Sequence, residues 1–399
     1  MSKMSKNKIL KIVFQLFFIL IILLFVKNLW DFRHKLATGW SDFTGFYMVG
    51  KIVLAGELNN FYNLETQHKY TPFADNGGFF LPNFHPPFEA LLSAVFAHFP
   101  YFTAYILWTI FSMVLLYFSI VFIKKNYFFS FSSPLFTIPT MFLASLAFFP
   151  AQANIINGQD SILFLFLLVL SIMLRNQNKY LLGGVILGCS VFKPHLTIPL
   201  AIGFSLYSHF SFFLGFLLSS GFWTLVSLLM VRLHGVKDLF HMISVANSES
   251  VKYGVNPTFL PNLRGLLERH IDLLSSANVT LISIIIWLIG IVLVFFISYK
   301  FSKSNTSILD SIIIILALLC SFHIGTHDLI LLIIPISVGL KIASEYKSKT
   351  KSLLVLVLLF LLSPIPYSMN LGAERKFEGL IISLFILIGI CFYLLRKVK

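Results

Sequence analysis

The chain has 399 residues, is 57% hydrophobic and 12% charged, contains 45 phenylalanines and carries a formal net charge of +14. A soluble protein of this length carries about twice that charged fraction, and apolar runs of about 20 residues, enough to cross a hydrocarbon core of about 30 Å, recur along the sequence. Lysines and arginines cluster between those runs, as the positive-inside rule expects, with no basic stripe of the kind that binds nucleic acid.

The N-terminal stretch starts basic, with Lys3, Lys6, Lys8 and Lys11, and its apolar core is too long for a signal peptide. It predicts a retained first helix over about 9–27, running outward from the cytoplasm. Further spans are predicted at about 101–123, 133–151, 160–174, 180–193, 196–207, 211–231, 278–299, 308–322, 327–342, 352–364 and 377–394. The sum is an all-α polytopic membrane protein of about 12 transmembrane helices, a single domain over 1–399 with both termini inside.

The segment "FHPPFEALLSAVFAHFP" at 84–100 does not fit as a span, because counting it would move Lys124 and Lys125 outside. It predicts an interfacial or re-entrant helix on the outer side. Two large outer segments result, 28–100 and 232–277, with shorter outer loops at 154–161, 192–196, 322–328 and 363–377. Cys189, Cys320 and Cys391 lie in apolar runs with neither disulfide nor zinc spacing. The cytoplasmic turns are short and basic without a nucleotide-binding loop, which argues against an ATP-driven pump.

The polar chemistry collects on the outer face. Asp42 in "SDFTGFYMVG" precedes an amphipathic helix and reads either as its N-cap or as a general base beside a bound hydroxyl. Asp160 in "NGQD" has the same two readings, a cap or a second acidic site residue. Lys193, at the outer end of an apolar helix, either snorkels or meets an anion, for which a phosphate is the natural partner. Arg264 sits in the second outer loop, either solvated or ligating. His323, His327 and His85 are either interhelical hydrogen-bonding groups or donors to a sugar or phosphate. Asp42 with Asp160 alone is a weak case for a metal, and no cofactor motif is present.

With these residues in view, the sequence resembles glycosyltransferase family 87. Asp42, Phe43, Tyr47, Gly50, Gly56 and Tyr62 match its N-terminal motif. "FHPPFEALL" resembles its double-proline segment with His85 where a tyrosine is usual, and "NGQDSILFLFLL" its Gly-Gln helix start with Ser161 replacing asparagine. "LLGGVILGCSVFKPHLTIPL", "NLRGLL" and "HDLILLIIP" continue the match. The resemblance implies a GT-C-like bundle whose first outer loop holds juxtamembrane helices. It also implies a hexose, typically mannose, moved from a polyprenyl-phosphate donor to a lipid or glycan acceptor, with inversion, at the outer face of a bacterial inner membrane.

On that resemblance Asp42 is the base, and Lys193 meets the donor phosphate with Arg264 and His327 or His323. Tyr47, His85, Gln159 and Asp160 complete the substrate-binding set, with neither metal nor cofactor. Two rivals stand beside it. A transporter or flippase would favour internal repeats and ionisable residues at mid-helix, where this chain shows neither. A surface-polysaccharide polymerase or ligase would take a pyrophosphate-linked glycan.

Overall fold

A computed structural model describes residues 3–73, 80–128, 136–248, 257–270, 276–345, 349–363, 365–368 and 377–397. Among these residues the chain is helical and contains no strand. The helices, in order, are α1 (Lys3–Ala37), α2 (Phe43–Ala55), α3 (Leu64–Tyr70), α4 (Ala90–Ala97), α5 (Tyr101–Tyr127), α6 (Ile138–Ala147) and α7 (Phe149–Asn157). Next come α8 (Ser161–Asn176), α9 (Tyr180–Gly188), α10 (Pro194–Leu206), α11 (Phe210–Ser248), α12 (Leu263–His270) and α13 (Ser276–Lys300). The last are α14 (Thr306–Cys320), α15 (Ile333–Glu345), α16 (Lys349–Leu362), α17 (Ile365–Ser368) and α18 (Glu378–Lys397).

Six helices among the described residues are long and apolar enough to cross a membrane, or seven if the bent pair α6–α7 forms one span. The expected count of about twelve is therefore met only in part, and the reason is visible in the interior. There the apolar helices are short: α8 has 16 residues, α10 has 13 and α14 has 15. At 1.5 Å per residue the longest covers only about 24 Å. The predicted span 180–193 is a nine-residue helix, Tyr180–Gly188, followed by a turn that ends at Lys193. Hydropathy reads such apolar turn residues as helix.

Breaks elsewhere have local causes. The described part of the predicted span 133–151 bends by 66° between α6 and α7. Pro150, in the first turn of α7, cannot donate to a carbonyl one turn earlier, so the helix restarts there. α1 runs past the expected end at 27, with Lys27 bridging Asp31 at 2.8 Å one turn on, and stops near Gly39 in the left-handed region. α11 is interrupted at Arg232, where φ is 57°. The 84–100 segment forms a short helix, Pro87–Ala97, too brief to span. In the outer segments, residues 74–79, 249–256, 271–275 and 369–376 lie outside the described ones.

The core is centred on α8, α10, α14 and α15. Every residue of α14 from Ile308 to Cys320 is buried, as expected for a helix apolar all round. α1 is largely exposed and packs mainly along α6, where Gln15 donates to Thr140 Oγ1 at 3.0 Å. At one end of the core, Arg175 in the last turn of α8 makes a bidentate pair with Asp310 of α14, at 2.8 and 2.7 Å. Tyr207, just past α10, hydrogen-bonds the same carboxylate, and the guanidinium lies over the Phe204 ring at 4.9 Å.

Candidate active site

At the opposite end of α8 a second charged cluster forms around the "NGQDS" turn. α7 ends at Gly158, which adopts φ 62°, and a Cβ there would lie 2.5 Å from Phe43 Cβ. Only glycine suits both the left-handed backbone and that approach. The turn is thereby laid against the start of α2, and Gln159 Nε2 donates to Asp42 Oδ2 at 2.7 Å. Gly158→Ala is expected to cost about 1–3 kcal/mol from strained backbone, read as a lower melting temperature, and to move Gln159 off Asp42.

Asp42 occupies the N-cap position of α2 but makes no side-chain cap bond. Its backbone is already right-handed helical, φ −64° and ψ −20°, whereas a capping side chain turns back from an extended residue. The cap reading is corrected for Asp42. The carboxylate is half-exposed, with one oxygen fixed by Gln159 and the other free of hydrogen bonds to the described residues. Asp160 likewise stands at the N-cap position of α8 without a cap bond. With its amide oriented to satisfy both neighbours, Asn154 accepts from the Ser161 N–H at 3.1 Å instead.

Asp160 is fully buried, and Lys193 Nζ lies 2.7 Å from its Oδ1. The same ammonium reaches Asp328 Oδ1 at 2.5 Å and donates to Ser161 Oγ at 2.8 Å. Ser161 in turn donates to Asp328 at 2.6 Å, and the second Asp328 oxygen accepts from the Gly325 N–H at 2.7 Å. Lys193 is therefore 4% exposed and does not snorkel. Its charge is held by two carboxylates rather than presented to a ligand.

His85 closes the cluster on the other side. Its Nδ1 lies 2.6 Å from Glu89 Oε2 and 3.6 Å from Asp160 Oδ2, and its ring packs edge-on to Phe46. Burial draws the imidazolium pKa down, but the Glu89 contact outweighs it and the net direction is up. Burial likewise pushes the Glu89 carboxyl up to about 7, so the pair holds a proton near neutrality. His85, Glu89 and Asp160 bring one nitrogen and two carboxylate donors within 4.8 Å of one another.

His327 joins the same region: its Nε2 is 3.5 Å from Asp328 Oδ2, and Asp42, Asp160 and Lys193 all lie within electrostatic reach. His323 faces the ring of His195 at 6.2 Å and still lies within electrostatic reach of Asp328, His327 and Lys193. Arg264 is half-buried on α12, donating to the Phe322 carbonyl at 3.0 Å and to Thr280 at 3.2 Å. It braces the turn that carries His323. Tyr47 stays outside the polar cluster, with its hydroxyl on the Phe99 carbonyl at 3.0 Å and its ring against Tyr101.

The structure thus gathers Asp42, His85, Gln159, Asp160, Lys193 and His327, and sets Arg264 with His323 beside them. Sequence reasoning missed Glu89, Asp328 and His195. An acid inside the apolar run "PPFEALL" was a usable signal for Glu89, and "THD" before an apolar run for Asp328. Nothing in the sequence pairs either with Lys193.

No curated protein and no solved structure matches the chain. The model of glycosyltransferase family 87 matches residues 83–321, more than half of the sequence, and so includes His85, Asp160, Lys193 and Arg264. Asp42, His323 and His327 lie outside the matched residues and meet the others through the fold. This helical membrane protein belongs to glycosyltransferase family 87.

Proposed function

We propose that the enzyme moves a hexose, mannose above all, from a polyprenyl-phosphate donor to a hydroxyl of a lipid or glycan acceptor, at the outer face of a bacterial inner membrane. The observation that carries this reading is Asp42: an accessible carboxylate, released from capping, with one oxygen pinned by Gln159. Its free oxygen takes the proton of the acceptor hydroxyl as that oxygen attacks the anomeric carbon from the side opposite the phosphate. The new glycosidic bond forms, the sugar–phosphate bond breaks, and its electron pair leaves with the lipid phosphate. The anomeric centre inverts, as when a base activates the nucleophile in inverting glycosidases.

A lipid phosphate is a weakly basic leaving group, so pre-placed positive charge and hydrogen-bond donors matter more than a general acid. His327, close to both Asp42 and Lys193, is the best-placed donor to that phosphate. Lys193 contributes through the position of Asp328 and the turn that carries His327. The exposed Leu91 and Val95 on α4, with Phe99 just past its end, offer the prenyl tail an apolar surface. Mannose and the monophosphate donor rest on the family resemblance.

The test is a panel of polyprenyl-phosphate sugars incubated with purified protein and candidate acceptor lipids, with products read by mass spectrometry. Addition of a single hexose from polyprenyl-phosphate-mannose is the expected result. Transfer only from a pyrophosphate-linked glycan would move the reading to a polymerase or ligase, and no transfer with lipid translocation would move it to a flippase.

A further inference from the structure

The charges around Asp160 do not balance. Glu89, Asp160 and Asp328 are 5%, 0% and 3% exposed, and Lys193 is the buried ammonium that opposes them. With all three acids ionised and His85 neutral, as ligation requires, three negative charges face one positive charge, an excess of two, and a proton shared between His85 and Glu89 offsets only one of them. Burying such an excess costs several kcal/mol per unpaired ion, so the cluster calls for further positive charge.

The open side of the cluster is chemically specific. Lys193 occupies the Oδ1 side of Asp160, while Oδ2 faces His85 Nδ1 at 3.6 Å, too long for a hydrogen bond. Glu89 Oε1 is buried and, with both acids ionised, has no hydrogen-bond donor among the described residues, the Asp160 carboxylate being its carboxyl's neighbour. Ser93, one turn further along the same helix and 3% exposed, also has an unpartnered hydroxyl. Ser93, Asn83, His85 and Glu89 line one narrow cleft, at which the His85 side chain is 27% exposed.

We propose that His85, Glu89 and Asp160 form a binding site for one divalent transition-metal ion of the Mn²⁺ class. An imidazole with two carboxylates suits Mn²⁺, Fe²⁺ or Zn²⁺ better than Ca²⁺ or Mg²⁺, which take oxygen ligands. Ligands at about 2.1 Å from one ion stand about 3 Å apart, so binding needs the His85–Glu89 contact of 2.6 Å to open by a few tenths of an ångström. The ion supplies the two missing positive charges and leaves Lys193 on Asp160 Oδ1 and Asp328. The proposal concerns binding alone and does not depend on the identity of the sugar donor.

Tag-free full-length protein in detergent, stripped with EDTA and freed of chelator, is titrated with Mn²⁺ and desalted. The expected result is about one equivalent of Mn²⁺ retained per chain by elemental analysis, with a broadened electron paramagnetic resonance signal. Glu89→Gln and His85→Ala are each expected to weaken retention at least about 10- to 100-fold. His85→Tyr keeps an aromatic ring against Phe46 while removing the nitrogen, and a matched melting temperature then separates lost ligation from lost fold. Wild-type protein that retains no Mn²⁺, Zn²⁺ or Co²⁺ overturns the proposal by itself. Wild-type retention by folded Glu89→Gln and His85→Tyr overturns it as well, and would leave a shared proton as the cluster's counter-charge.

Discussion

Asp42→Asn is expected to lower sugar transfer about 10²- to 10⁴-fold while leaving the fold intact. The substitution is isosteric, and an asparagine oxygen can still accept from Gln159, which holds Asp42 Oδ2 at 2.7 Å. What disappears is the ability to take a proton from the acceptor hydroxyl. The loss should fall on kcat, with donor affinity and melting temperature close to wild type. Single-turnover transfer from labelled polyprenyl-phosphate-mannose, together with donor binding, separates the two. Unchanged transfer would remove Asp42 from the mechanism.

Lys193→Met is expected to destabilise the protein by about 3–5 kcal/mol, because it strands two buried carboxylates, Asp160 and Asp328, without their counter-charge. The expected readout is a large drop in melting temperature and poor recovery from the membrane. A lysine that merely contacted donor phosphate at the surface would behave differently, raising KM in a protein that melts as before. A second substitution decides between them: Asp328→Asn on the Lys193→Met background relieves part of the excess negative charge and should restore part of the stability. If Lys193→Met melts like wild type and only donor affinity falls, the buried-counterion reading fails.

Much of the architecture could be read from hydropathy and charge. The long helices α1, α5, α11, α13 and α18 follow from uninterrupted apolar runs, and the short Pro87–Ala97 helix from its prolines and its conflict with Lys124 and Lys125. The short interior helices were less legible, because turns such as Cys189–Phe192 are as apolar as the helices they join. A similar limit applied to the site. Residue type and position brought Asp42, Asp160, Lys193 and His327 into view, but their partners lie far away in sequence. Lys193 and Asp328 are 135 positions apart, and Gln159 and Asp42 are 117 apart. Residue type alone allows a cap at both aspartates, and only the backbone angles at Asp42 and the Asn154 amide on the Ser161 N–H show that neither side chain caps.

The Arg175–Asp310–Tyr207 cluster has one more consequence. α8 starts just after Asp160 and carries Arg175 in its last turn, α10 lies between Lys193 and Tyr207, and α14 carries Asp310 near its start and leads into the turn that bears Asp328. The same three helices are thus bolted together at both ends. Sliding any one of them by a single helical turn, about 5.4 Å, would tear two buried ionic contacts at once. The trio behaves as a fixed frame with a locked register. An opening for the proposed lipid donor would then come from the thinly packed elements around it, such as α1 or the stretch of α11 beyond its break at Arg232.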